Sequence, residues 1–212
     1  MKTRILILAV ILVFLLNGCI VKSLHQFYDE KEVIFEDALV GTWLDDEKAR
    51  WEISPFTFSK GFMKGDSTDN SYLVVLYEDS INPIKFNAHL FQVGDKKYLD
   101  FAPLREDRYE GLLDMHLVSV HSLAFIDFTE NDKLTISWFN EEWLGKLFEE
   151  NRVKIAHEVV KGTDREYETE YILTASITEL QKFVLKYANP EDAGHTEHND
   201  DNFMRAQLTR ID

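Results

Sequence analysis

Ile84 to Ala102 reads IKFNAHLFQVGDKKYLDFA. Two runs with apolar residues at alternate positions flank Gly94-Asp95, and that two-residue link predicts a β-hairpin. In such a hairpin Phe91 faces Tyr98 and His89 faces Asp100 on one side of the ribbon. Leu90 faces Leu99 and Ala88 faces Phe101 on the other, with Phe86 further along. The second side is wholly apolar, so it turns toward a core. The first side, with His89 and Asp100, is then the outer or less buried one.

Working outward, more short β-rich runs appear. Strands are expected over residues 39–44, 50–55, 72–77 (YLVVLY), 115–128, 134–139, 167–175 and 203–211. Residues 59–71, 78–83 and 103–114 read as connections. Two segments keep a helical period instead. Over 141–150, Trp143, Leu144, Leu147 and Phe148 form a stripe, with Asn140 as cap. Over 177–188, Ile177, Leu180, Phe183, Val184 and Tyr187 form another. Ser176 and Glu179 have capping-box spacing, and Asn189-Pro190 ends that helix. This is a mainly β domain with two or three helices, expected to close as an antiparallel barrel that the helices pack against or cap.

Gly41-Thr42-Trp43 opens the first strand. Gly-x-Trp at that place resembles the entrance motif of lipocalins, which implies a lipocalin-like (calycin-like) barrel with Trp43 closing its base. The segments AHLFQVGDKKYLDF, MHLVSVHSLAFIDF and LTASITELQKFVLKYA are similar to a family of uncharacterised bacterial proteins. That resemblance implies no chemistry.

The first residues carry a different message. Lys2 and Arg4 precede an apolar run of twelve residues, Ile5 to Leu16, and then Leu16-Asn17-Gly18-Cys19. A basic head, a short apolar run and a small residue before a cut site are marks of a secretory leader. The run is shorter than the roughly 20 residues of a spanning helix. Its end resembles the lipobox of bacterial lipoproteins. That implies cleavage before Cys19, a diacylglyceryl thioether on its sulfur and an acylated new amine. It also accounts for a lone cysteine in an exported chain. Ile20, rather than aspartate, follows, which by the Gram-negative sorting rule favours the outer membrane. The expected organisation is a signal peptide over 1–18, an anchor and tether over 19–37, and one barrel domain over 38–212.

Composition narrows the function. The formal charge is −15, and it becomes −17 once Lys2 and Arg4 leave with the leader. Such a surface repels phosphate backbones, and no basic stripe offsets it, so nucleic acid is not an expected partner. An exported domain without disulfides relies on burial, and 13% aromatic residues serve that.

Candidate chemistry is sparse. His89 beside Asp100 has the elements of an oriented imidazole, but no nucleophile accompanies it, and a cross-strand polar pair is the simpler reading. His116 and His121 flank a predicted strand at odd separation, so they point to opposite faces. His157-Glu158-Val159-Val160-Lys161 has four residues of a zinc helix motif but lysine in place of the second histidine. His195 and His198 lie in an acidic, solvated-looking loop. There is no nucleophile elbow, phosphate loop or dinucleotide fingerprint. No catalytic residue, metal or cofactor is assigned.

The expected function is a membrane-tethered envelope lipoprotein, not an enzyme, held by the lipid on Cys19. It would bind an apolar small molecule in a cavity lined by Trp43, Phe86, Ala88, Leu90, Leu99 and Phe101. The alternative is a structural or interaction lipoprotein in which those residues fill a solid core. Phe91 and Tyr98 would then form an exposed contact patch. The least favoured reading is an enzyme using His89, His116 or His121.

Overall fold

The computed structural model describes residues 20–58, 67–78, 83–104, 116–129, 132–161, 169–188 and 205–212. The expected leader and Cys19 lie outside the described residues, as do His195 and His198. Among the described residues, eleven strands and two α-helices follow one another. They are β1 (Lys22–Ser23), β2 (Gly41–Leu44), β3 (Arg50–Phe58), β4 (Ser67–Tyr77), β5 (Ile84–Val93), β6 (Lys96–Pro103), β7 (His121–Thr129) and β8 (Lys133–Trp138). Then come α1 (Glu141–Glu149), β9 (His157–Lys161), β10 (Thr169–Leu173), α2 (Ile177–Tyr187) and β11 (Arg205–Arg210).

The strands β2 to β8 and β11 form a closed antiparallel barrel of eight. β3 to β8 each pair with their chain neighbours, and β11 enters between β8 and β2 to close the ring. The β5–β6 hairpin has the expected register, with Phe91 opposite Tyr98, His89 opposite Asp100, Leu90 opposite Leu99 and Ala88 opposite Phe101. Gly94 in its turn has φ 66, a left-handed conformation that glycine takes without steric cost. β3 runs through Pro55 to Phe58, and its register shifts between Pro55 and Thr57. Proline, which cannot donate to the ladder, sits at that irregularity.

Two cores result. Inside the barrel pack Trp43, Ile53, Tyr72, Val74, Ala88, Leu90, Leu99, Phe101, Ile126, Leu134, Ile136 and Leu208. The second core lies outside the β5–β6–β7 wall, where both helices pack on the barrel. α1 contributes Leu144 and Leu147, and α2 contributes Leu180, Phe183 and Val184. Both start as their sequences require. Asn140 accepts from Glu142 N at 2.6 Å, and Ser176 and Glu179 form the capping box.

This second core corrects several expectations. Phe91 and Tyr98 are 0% and 2% exposed, so they make no contact patch. They face outward from the barrel but lie beneath α2, and Tyr98 Oη donates to Ala188 O at 2.8 Å. The side carrying His89 and Asp100 is therefore outer without being less buried. The lead is not a free tether either. Val21 and Phe27 are fully buried, and β1 pairs with both β7 and β10. From Ile20 onward the chain belongs to the folded unit. β7 begins at His121, so His116 precedes it instead of flanking it. His157 and Glu158 stand on strand β9, where no helical face exists for a zinc motif.

Candidate functional site

Antiparallel alternation gives the barrel two distinct ends. One end, the base, holds the start of β2, the 94–95 turn and the end of β11. Just before β2, a 3₁₀ turn over Asp37–Leu39 crosses beneath the barrel. Trp43 points inward, is 1% exposed and donates from Nε1 to Leu39 O at 3.1 Å. Arg210, paired with Trp43 across β11–β2, lays its guanidinium 4.3 Å from that ring. Its Nη1 and Nη2 donate to Val40 O at 2.7 Å and Ala38 O at 2.6 Å. One cation thus ties the last strand to the turn under the barrel, with the tryptophan between them as a plug. Gly41 explains the first letter of Gly-x-Trp. Its φ is 151, and a Cβ there would lie 2.2 Å from Arg210 Nη1.

Above the plug the interior is packed. Ala88, Leu90, Leu134 and Ile136 have no surface that a water-sized sphere can reach, and Leu99 and Phe101 have 2%. All six residues expected around a cavity belong to this interior or pack against it, with Phe86 the half-buried one.

The upper end differs. Phe86, Phe101, Trp138 and Trp51 form a row of rings across it. Successive centroids are 5.8, 5.3 and 6.3 Å apart, Phe86 to Phe101 being edge-on. Phe86 and Trp138 keep part of their surface open, and Ile84 at the same end of β5 is 39% exposed. Trp51 is held from outside the row, donating from Nε1 to Asp45 Oδ2 at 3.1 Å. The row has four members on four strands, β3, β5, β6 and β8. Only Phe86 and Phe101 belong to the hairpin whose alternation exposed them to sequence reading. Trp51, Trp138 and Arg210 have no local signature beyond residue type.

On the outer wall, Asp100 is fully buried. Its Oδ2 accepts from Phe27 N at 2.7 Å, and its Oδ1 is 2.6 Å from His121 Nδ1. His89 lies across the ladder from Asp100 and stacks on Tyr28, centroids 4.5 Å apart. Ser23, opposite His121 on β1, completes the residue types of a nucleophilic triad. Its hydroxyl is otherwise engaged, donating to Leu173 O at 3.3 Å and accepting from His25 N at 3.1 Å, and it is fully buried. The constellation fastens the lead and β1 to the barrel wall. Among the described residues no group of three or more histidine, cysteine or carboxylate side chains is placed to hold a metal, and no helix is long and apolar enough to cross a membrane.

The chain matches no protein-family model, no curated protein and no solved structure.

Proposed function

We propose that this chain is a lipid-anchored envelope protein that holds an apolar small molecule at the upper end of its barrel. The aromatic row carries the reading. Its half-open members, Phe86 and Trp138, lie where β5 starts and β8 ends, and its buried members, Phe101 and Trp51, reach into the packed interior, Trp51 being the rung partner of Trp43. The ligand therefore rests on Phe86 and Trp138, with Phe101 and Trp51, 2% and 5% exposed, packed behind them, instead of sinking among Ala88, Leu90 and Leu99. Aromatic faces with few polar groups suit a flat or branched hydrocarbon.

The leader and lipobox support the anchor. Ile20 follows Cys19 directly and bridges Asn140, two residues beyond Trp138. Val21 N donates to Phe139 O at 2.8 Å, so the chain is held to the fold from Ile20 on. Acyl chains on Cys19 would leave the domain beside the aromatic row, with that end held near the lipid. Two or more chains give stable anchoring without any protein surface in the bilayer.

A second reading, an interaction module, draws on Leu117 and Val118. They are 44% and 72% exposed just before β7, near Leu24 after β1 at 41%. Native mass spectrometry of the full chain released from membranes separates the two. The first reading expects a co-purifying apolar molecule that Trp138→Ala loses, and Cys19→Ser that leaves the membrane fraction or keeps its leader. A Cys19→Ser chain that stays equally bound and trimmed overturns the anchor. An empty barrel with a retained protein partner favours the second reading.

A further inference from the structure

A groove lies on the far side of the helical layer, away from the barrel interior. Asn151, at φ 54, turns the chain back after α1, and the next residues run extended beside α2. Arg152 N donates to Leu147 O at 2.9 Å, and Tyr187 Oη donates to Arg152 O at 2.6 Å, so this wall is fixed at both sides. The groove is open to solvent on one side and offers about 440 Å³, within the range of small-molecule sites.

Its lining is unusual for a chain of charge −15. Val153 and Phe183, 6% and 3% exposed, give an apolar floor, with Ile155 and Tyr187 beside them. Arg152 and Lys154 enter from the extended segment, and Lys182 and Lys186 from one face of α2. Among the described residues, four cations thus meet a single lining carboxylate, Glu179. That carboxylate is already used, accepting from Ser176 N at 3.0 Å and Ser176 Oγ at 2.7 Å in the cap of α2. Those hydrogen bonds hold it below the usual carboxylate range, so it stays an anion committed to the helix end. Arg152 has Glu150 at 3.4 Å, an exposed contact of little strength. A face serving solubility alone needs neither convergence of like charges nor an apolar floor.

We propose that this groove binds a small amphiphilic anion, a phosphate or carboxylate whose head is held by Arg152, Lys154 and Lys182 and whose apolar body lies on Phe183 and Tyr187. The ligand is a free, soluble molecule of the size that a groove of about 440 Å³ accepts. The site is separate from the aromatic row and independent of the anchor.

Phenyl phosphate is the probe, titrated calorimetrically into the full chain in neutral-detergent micelles at low salt. Saturable binding is expected, tighter than that of inorganic phosphate and of benzyl alcohol, which carry only the head or the body. Lys154→Gln/Lys182→Gln, both substitutions at exposed positions, should weaken it by about tenfold or more, the loss of two charge-assisted contacts. No saturable binding, equal binding by the double variant, or equal binding of inorganic phosphate overturns the proposal. Displacement of phenyl phosphate by phosphatidate in nanodiscs overturns the free-ligand assignment in favour of a lipid headgroup.

Discussion

Asp100 Oδ1 and His121 Nδ1 lie 2.6 Å apart on adjacent strands of the barrel wall, and the other Asp100 oxygen accepts from Phe27 N. The carboxylate is fully buried while the imidazole keeps 23% of its side-chain surface. The two partners therefore differ in what their loss exposes. Asp100→Ala strands the buried Phe27 N–H and takes away the partner of the part-exposed His121 ring, and is expected to cost about 3 kcal/mol or more. His121→Ala leaves one carboxylate oxygen short, beside an opening through which water can enter, and should cost about 1–2 kcal/mol. Urea denaturation of both and of the double variant checks this. The double loss should fall short of the sum, because one hydrogen bond is counted in each single variant.

Gly41 and Gly94 both have positive φ, yet a methyl group meets different surroundings at each. At Gly94 nothing lies within 4 Å, so Gly94→Ala meets only the conformational cost, about 1–2 kcal/mol. At Gly41 the new carbon would collide with the Arg210 guanidinium and Asp212. Gly41→Ala should therefore cost more than Gly94→Ala and behave like Arg210→Ala, which loses two hydrogen bonds and the Trp43 contact, about 2–3 kcal/mol together. Combining Gly41→Ala with Arg210→Ala should cost little beyond the larger single effect. Full additivity in thermal melts would show that Gly41 does not serve the arginine.

What sequence could reveal follows from how local each interaction is. The β5–β6 register was legible because a two-residue turn locks every pair in the hairpin, Phe91 to Tyr98 included. Both helices were legible from their stripes and from the caps at Asn140 and Ser176. β1 was not, since two residues have no period, and β9 was not, since its run is too short to separate from a helix fragment. The outward burial of Phe91 depends on α2, more than 80 residues later, so alternation alone makes it the wet face. For the same reason Asp100 was matched to His89, its rung partner, while the bonded partner given by its geometry, His121, sits diagonally on the next strand. Arg210 meets Trp43 from the far end of the chain, a contact only barrel closure creates.

Phe27 tests whether the lead belongs to the fold. It is fully buried, its amide is held by Asp100, and its carbonyl accepts from Gln181 Nε2 at 2.5 Å. A tether residue would tolerate truncation. Phe27→Ala is instead expected to lower stability by about 3–5 kcal/mol, as for a core phenylalanine. Thermal melts of the full chain measure it. A loss below about 1 kcal/mol, the scale of a surface substitution, would return this segment to the role of a linker.

Tyr72 and Tyr98 set the alkaline limit. Tyr72 is in the barrel, with its hydroxyl between Glu36 N and Glu36 O, and Tyr98 is under α2. Burial disfavours the phenolate and pushes each hydroxyl up to about 12, from about 10 in the unfolded chain. The neutral form is the one the fold prefers. Its contribution is therefore complete below pH ~10 and is lost as pH rises from there through ~12, because the unfolded chain releases these protons first. Ultraviolet titration should show Tyr72 and Tyr98 ionising late, together with unfolding. Tyr98→Phe removes one such group and its bond to Ala188 O. It should cost about 1 kcal/mol at neutral pH, yet lose less stability than the parent between pH ~10 and ~12. A Tyr98→Phe variant whose alkaline decline parallels the parent's would show that Tyr98 ionises without opening the layer between β5, β6 and α2.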